Sequence, residues 1–137
     1  MVFQTLFLSS LARGHADLGR IDEAWRRIAE AISAVEATKE RIFEAEVNRI
    51  AGEIARLSSV PDLAKAEVYF ERALAVARTQ HAKSWELRAP MSMARLWRHQ
   101  GKRGEARELL APVYEWFTER FDTLDLRQAK ALLDELA

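Results

Sequence analysis

Two stretches decide the fold when set side by side: LARGHADLGRIDEAWRRIAEAI, Leu11 to Ile32, and MARLWRHQGKRGEARELLAPVY, Met93 to Tyr114. Ala12 meets Ala94, His15 meets Trp97 and Gly19 meets Gly101. Further on, Ala24 meets Ala106, Ile28 meets Leu110 and Ala31 meets Val113. In each stretch an apolar run at helical spacing ends at a glycine and a second such run follows. Small residues let two helices approach, and large apolar ones fill the space between them. A glycine between the runs suits the left-handed residue that commonly ends a helix, because it has no Cβ to clash. The pattern predicts a helix pair that occurs twice.

A looser copy lies between them. Ile50, Ala51 and Ile54 are followed by a longer connection, SSVPD at 58–62, and then by Ala66, Phe70 and Ala73. With Ala51 equated to Ala12 and Ala94, the unit recurs at 39 and then 43 residues. The middle copy has no glycine between its helices. Pro61 and Asp62 open its second helix, as a proline and a capping acid do.

Composition agrees with an all-α chain. The 137 residues are 49% hydrophobic and 31% charged, with only five glycines and three prolines. Ala, Leu, Glu and Arg favour helices, and little turn chemistry is left for a sheet. The expected helices run over about 2–18, 22–37, 39–57, 62–81, 84–100, 103–120 and 126–136. Asp22 and Ser84 are the expected caps of the second and fifth. Pro90 falls within the fifth helix, where its ring blocks a backbone bond and predicts a kink or a later start.

These residues resemble the tetratricopeptide (TPR) repeat: a small residue in the first helix, a glycine at its end, then small, apolar and small positions in the second. The usual unit is about 34 residues, so the units here are long. The resemblance implies an all-α, TPR-like α-α superhelix of three antiparallel helix pairs plus a C-terminal capping helix. The repeats would span about 2–38, 39–82 and 83–120, and the cap about 125–136. Leu126, Ala129, Leu132, Leu133 and Leu136 make the apolar face of that cap. The elements SWELRA, MARLWR and LLAPVY are more particular. Residues 66–137 look similar to the C-terminal repeat region of bacterial signalling proteins that carry an adenylate/guanylate cyclase domain and an ATPase domain. That resemblance implies a regulatory, non-catalytic, cytoplasmic part of such a protein or a free-standing copy of it. Neither a cyclase sequence nor a Walker A loop occurs here, so no catalytic residue and no cofactor is implied.

Other functions have little to stand on. There is no cysteine, so disulfides, thiol chemistry and cysteine-bound zinc are excluded. His15, His81 and His99 fall on three different helices, without the spacing that holds a metal, and His15 reads as a core residue. Lys plus Arg equals Asp plus Glu at 21 each, which argues against a nucleic-acid-binding domain. Carboxylates such as Glu23, Glu67 and Glu71 read as surface charges. MVFQTLFLSSLARGH, 1–15, has no basic leader and no long apolar run, so it reads as a buried helix and no membrane span is expected. Phe3, Phe7 and Leu8 do not share one stripe of that helix, and a homodimer through it is expected.

The segment from Ser84 to Phe117 carries Trp85, Trp97 and Trp116 beside Arg88, Arg95, Arg98, Lys102 and Arg103. On a helical wheel Pro90, Met93, Ala94 and Trp97 share one face, and Arg88, Ser92, Arg95, His99 and Lys102 the other. The first face is core. The second has two readings, a solvated face or a binding surface. In TPR superhelices the first helix of each repeat lines the concave side. Carried over by position, that groove holds Ser9, Arg13 and Asp17, then Asn48, Gly52 and Arg56, then Arg88, Met91, Arg95 and His99. The expected binding residues are Arg13, Asn48, Arg56, Arg88, Arg95 and His99, and the expected ligand is an acidic or C-terminal-carboxylate segment of a protein or peptide. The alternative functions are a small-ligand sensor and a nucleic-acid-binding helical domain.

Overall fold

The computed structural model describes residues 2–38, 43–58, 60–80, 83–118 and 124–136. Among them the chain forms seven helices and no strand: α1 (Val2–Asp17), α2 (Ile21–Thr38), α3 (Glu44–Leu57), α4 (Leu63–Gln80), α5 (Lys83–His99), α6 (Arg103–Thr118) and α7 (Leu124–Leu136). The all-α class follows directly.

The turns at Gly19 and Gly101 are copies of one another. Gly19 has φ 77° and Gly101 φ 80°. Gly19 N–H donates to the Ala16 carbonyl at 3.0 Å, and Arg20 N–H reaches back to His15 at 2.8 Å. Gly101 donates to Arg98 at 3.0 Å, and Lys102 to Trp97 at 2.8 Å. This doubly bonded ending satisfies helix carbonyls that would otherwise lack donors. The next helix then starts at once, because Ala24 N–H bonds the Arg20 carbonyl and Ala106 N–H bonds that of Lys102. Asp22 is therefore not the cap expected of it. It lies in the first turn of α2 with Glu23, where a carboxylate favours the positive end of the helix.

The third turn is built differently. Ser58 Oγ donates to the Ile54 carbonyl at 3.0 Å, and Asp62 N–H bonds the Ala55 carbonyl at 3.1 Å. Asp62 Oδ1 accepts from Lys65 N–H at 3.0 Å, which makes Asp62 the side-chain cap of α4. α3 is described from Glu44, and the expected start at residue 39 lies outside the described residues. α5 begins at Lys83 and runs through Pro90 as one helix, so the later start that the proline allowed does not occur.

Packing follows a rule. α1 packs on α2, α3 on α4 and α5 on α6; α2 packs on α3, α4 on α5 and α6 on α7. The odd helices also touch in sequence, α1 with α3, α3 with α5 and α5 with α7. Among the described residues the backbones of α2, α4 and α6 do not come close to one another, although side chains of α2 and α4 meet. The odd helices thus form one continuous row.

Three apolar clusters fill the spaces. Leu8, Ala12, Ala24, Ile28 and Ile54 belong to one among α1, α2 and α3. Ala55, Phe70, Ala73, Met93 and Leu96 belong to another among α3, α4 and α5. Met91, Ala94, Leu110, Leu126 and Leu132 belong to a third among α5, α6 and α7. Because α3 and α5 each serve two clusters, the helix pairs cannot bury their apolar faces alone. Trp97, half-buried, packs against two clusters, as its core assignment requires. The side chains of Phe3, Phe7, Trp85 and Trp116 lie outside the described residues, so the expected dimer face of α1 is known here only through Leu8, which is buried.

Candidate ligand-binding face

The row of odd helices holds the charged residues that the clusters leave over. Two carboxylates on α3 anchor them: Glu46 at 4% exposure and Glu53 at 5%. An ionised carboxylate so far from water requires several donors. Glu53 Oε2 accepts from Arg56 Nη2 at 2.8 Å and Nε at 3.0 Å. Arg13 Nη1 approaches the same oxygen from α1 at 3.6 Å. Glu46 Oε2 accepts from Arg49 Nε at 3.1 Å, and Arg88 Nη1 of α5 stands 4.0 Å from Oε1. Arg49 Nη1 also reaches across to Ser92 Oγ of α5 at 3.4 Å. Further along, Arg98 of α5 pairs with Glu135 of α7. Each odd helix is tied to the next by an ion pair.

Arg95 sits among these groups and differs from them. It is half-buried. Among the described residues it makes no hydrogen bond and no ion pair within 4 Å. Burial holds its pKa below the ordinary arginine value; Glu53 pulls the other way, and the charges of Arg49, Arg98 and Arg56 push further down. Arginine remains charged at neutral pH despite such pressure. The result is a cation that has lost part of its water and gained no carboxylate.

The expected groove residues divide sharply. Arg13, Arg56, Arg88 and Arg95 do come together around Glu46 and Glu53. His99 is exposed at the end of α5. Asn48 is elsewhere: its Nδ2 donates to the Glu44 carbonyl at 2.9 Å, and it lines a cavity of about 460 Å3 with Val47, Ile32, Val35, Tyr69 and Arg72 of α2, α3 and α4. Met91 is in the core at 2% exposure, as is Ser92. Gly52 faces α4, where a Cβ would stand 2.5 Å from Phe70 Cε1.

One cause accounts for Asn48 and Gly52. The contact of Gly52 with Phe70 favours an alignment that sets Gly52, not Ala51, against Ala12 and Ala94. The spacings become 40 and 42 residues. One residue is about 100° of helix rotation, so Arg49 and Glu53 replace Asn48 and Gly52 on the face. The cross-helix pairs agree, because Arg13, Glu53 and Arg95 now share one repeat position, and so do Glu46 and Arg88.

Glu46, Arg49 and Glu53 are thus the functional candidates that sequence reading missed, and Glu46 and Glu53 are not the solvated charges that carboxylates here were expected to be. Glu23 is part of a surface cluster as expected, pairing with Arg26 and Arg27. Glu67 is not merely a surface charge, since it accepts the Trp97 indole N–H at 3.2 Å. On the even-helix side Trp25 and Tyr69 lie 6.0 Å apart, with Lys65 4.0 Å from the Trp25 ring and Arg72 5.4 Å from that of Tyr69. No helix among the described residues is long and apolar enough to cross a membrane. No protein-family model, curated protein or solved structure matches the chain.

Proposed function

We propose that this chain is a non-catalytic protein-interaction module, a TPR-like superhelix of three helix pairs closed by α7, which binds a partner on the face formed by α1, α3 and α5. The equal turns at Gly19 and Gly101 support the repeat reading. So do the unbroken contacts from α1 to α7 along the odd helices. The observation that carries the functional part is Arg95: a half-buried guanidinium without a carboxylate within 4 Å among the described residues, in a row where neighbouring arginines have one. Solvated surface arginines have no such constraint. An acidic partner segment complements the face.

In this reading the module is regulatory and belongs to a bacterial signalling protein of the cyclase–ATPase kind, as the resemblance of residues 66–137 suggests. The test is a peptide array, not restricted to acidic sequences, probed with the wild type and with an Arg88→Glu, Arg95→Glu double variant shown by circular dichroism to be folded. A set of peptides bound by the wild type and lost by the variant is the expected result. Equal binding by both proteins makes the face an ordinary solvated surface. The 460 Å3 cavity supports a second reading, a small-ligand sensor, since pockets of this size accommodate small molecules. A thermal-shift screen against metabolites separates the two.

A further inference from the structure

Arg13, Arg49, Arg56, Arg88 and Arg98 each have a carboxylate within 4.0 Å. Arg95 has none. Its nearest source of negative charge, Glu53, is already bonded by Arg56 and approached by Arg13. Set Arg13 against Asp17, Arg49 against Glu46, Arg56 against Glu53 and Arg98 against Glu135; Arg88 then shares Glu46 at 4.0 Å, and Arg95 stands without a carboxylate within 4.0 Å among the described residues. An anion at Arg95 would supply what its neighbours already have. The flat guanidinium fork fits two oxygens of a carboxylate side by side.

We propose that Arg95 anchors one side-chain carboxylate of an acidic partner segment lying along α3 and α5, a proposal that rests on the reading of this face as the partner surface. Position argues for a side chain against a chain terminus. Asn48, the amide expected to hold peptide backbone next to a terminal carboxylate, opens into the α2–α4 cavity instead. The side chains of Arg13 and Arg88 remain 34% and 41% exposed. They carry positive potential away from Arg95 in two directions, which suits a chain that continues past the anchor with further acids. The other arginines hold the helices together and steer; Arg95 makes the contact.

The experiment uses three short fluorescein-labelled peptides of one length: an amidated glutamate-rich peptide, its amidated glutamine counterpart, and the glutamine peptide with a free C-terminal carboxylate. Binding is read by fluorescence anisotropy. The glutamate peptide binds the wild type and the two glutamine peptides do not. Arg95→Gln weakens that binding about tenfold or more, the usual worth of a charge-assisted hydrogen bond. Arg107→Gln removes the same charge from an exposed position on α6 and changes binding by less than about twofold. Arg95→Gln unfolds at close to the same denaturant concentration as the wild type, because among the described residues the side chain makes no hydrogen bond and no ion pair within 4 Å. The proposal is overturned if Arg95→Gln binds as the wild type does, or if Arg107→Gln loses as much. Binding of the free-carboxylate peptide in place of the glutamate one also overturns it. If none of the three peptides binds, the carboxylate anchor is wrong, while the array, which is open to every peptide chemistry, still decides whether the face binds proteins.

Discussion

The α1–α2 and α5–α6 connections and the α3–α4 connection solve the same problem with glycine in different places. In the outer two, Gly19 and Gly101 occupy the turn with positive φ and open space where a Cβ would go. In the middle one, glycine has left the turn. Gly52 lies within α3, where the Phe70 ring leaves no room for a Cβ, and Ser58 and Asp62 make the turn with their side chains. A glycine in the turn relaxes the backbone. A glycine in the contact lets a fully buried aromatic ring press on the helix. The second use brings a helix with two buried carboxylates against both neighbours, so the middle helix pair supplies the buried acids and the outer ones most of the arginines.

The largest effect is expected where the middle and last units meet. Trp97→Ala removes a large side chain shared by two clusters and should cost about 3 kcal/mol, the low end for emptying an aromatic site, because the ring is only half-buried. Urea unfolding measures it, and a cost below about 1 kcal/mol means that the units are not joined through Trp97. Glu53→Ala takes the acid from between α1 and α5. It should cost about 1–2 kcal/mol, because Arg56 loses its partner while Arg13 keeps Asp17, and the cost should shrink in the Arg13→Ala background if the two side chains are coupled.

The glycine pair sharpens the comparison next. Gly52→Ala should cost about 2 kcal/mol through overpacking, and Phe70→Leu in the same chain should recover part of it relative to the sum of the two single changes. Gly101→Ala should cost about 1–2 kcal/mol from the left-handed backbone alone, with no dependence on Phe70. Equal coupling of both glycines to Phe70 would erase the distinction between them.

Much of the fold is legible in the residues. Gly19 and Gly101 stand at equal distances from matching alanines, and this repetition reveals the helix pairs. Where the middle unit fits is not legible in the same way. Ala51 and Gly52 are adjacent and both small, the connection at 58–62 hides the phase, and Gly52 in isolation reads as a groove residue. Only the ring of Phe70 decides between them. The candidate face was legible through Arg13, Arg56, Arg88 and Arg95, which are basic where a row of first helices would meet. It was not legible in Asn48, for the register of α3 is one residue different. A signal did exist: Glu46-x-x-Arg49 and Glu53-x-x-Arg56 recur after seven residues, two helical turns, which places both pairs on one face. Their burial, which depends on helices distant in sequence, leaves no such mark.

The most direct test of the face is a residue-by-residue map of binding. Backbone amide resonances of the wild type are followed by NMR while the amidated glutamate-rich peptide is added. Saturable shifts confined to α1, α3 and α5 and centred on Arg95, absent in Arg95→Gln, are the expected result. Shifts centred on α2, α4 or α6, or an unchanged map in the variant, would contradict it.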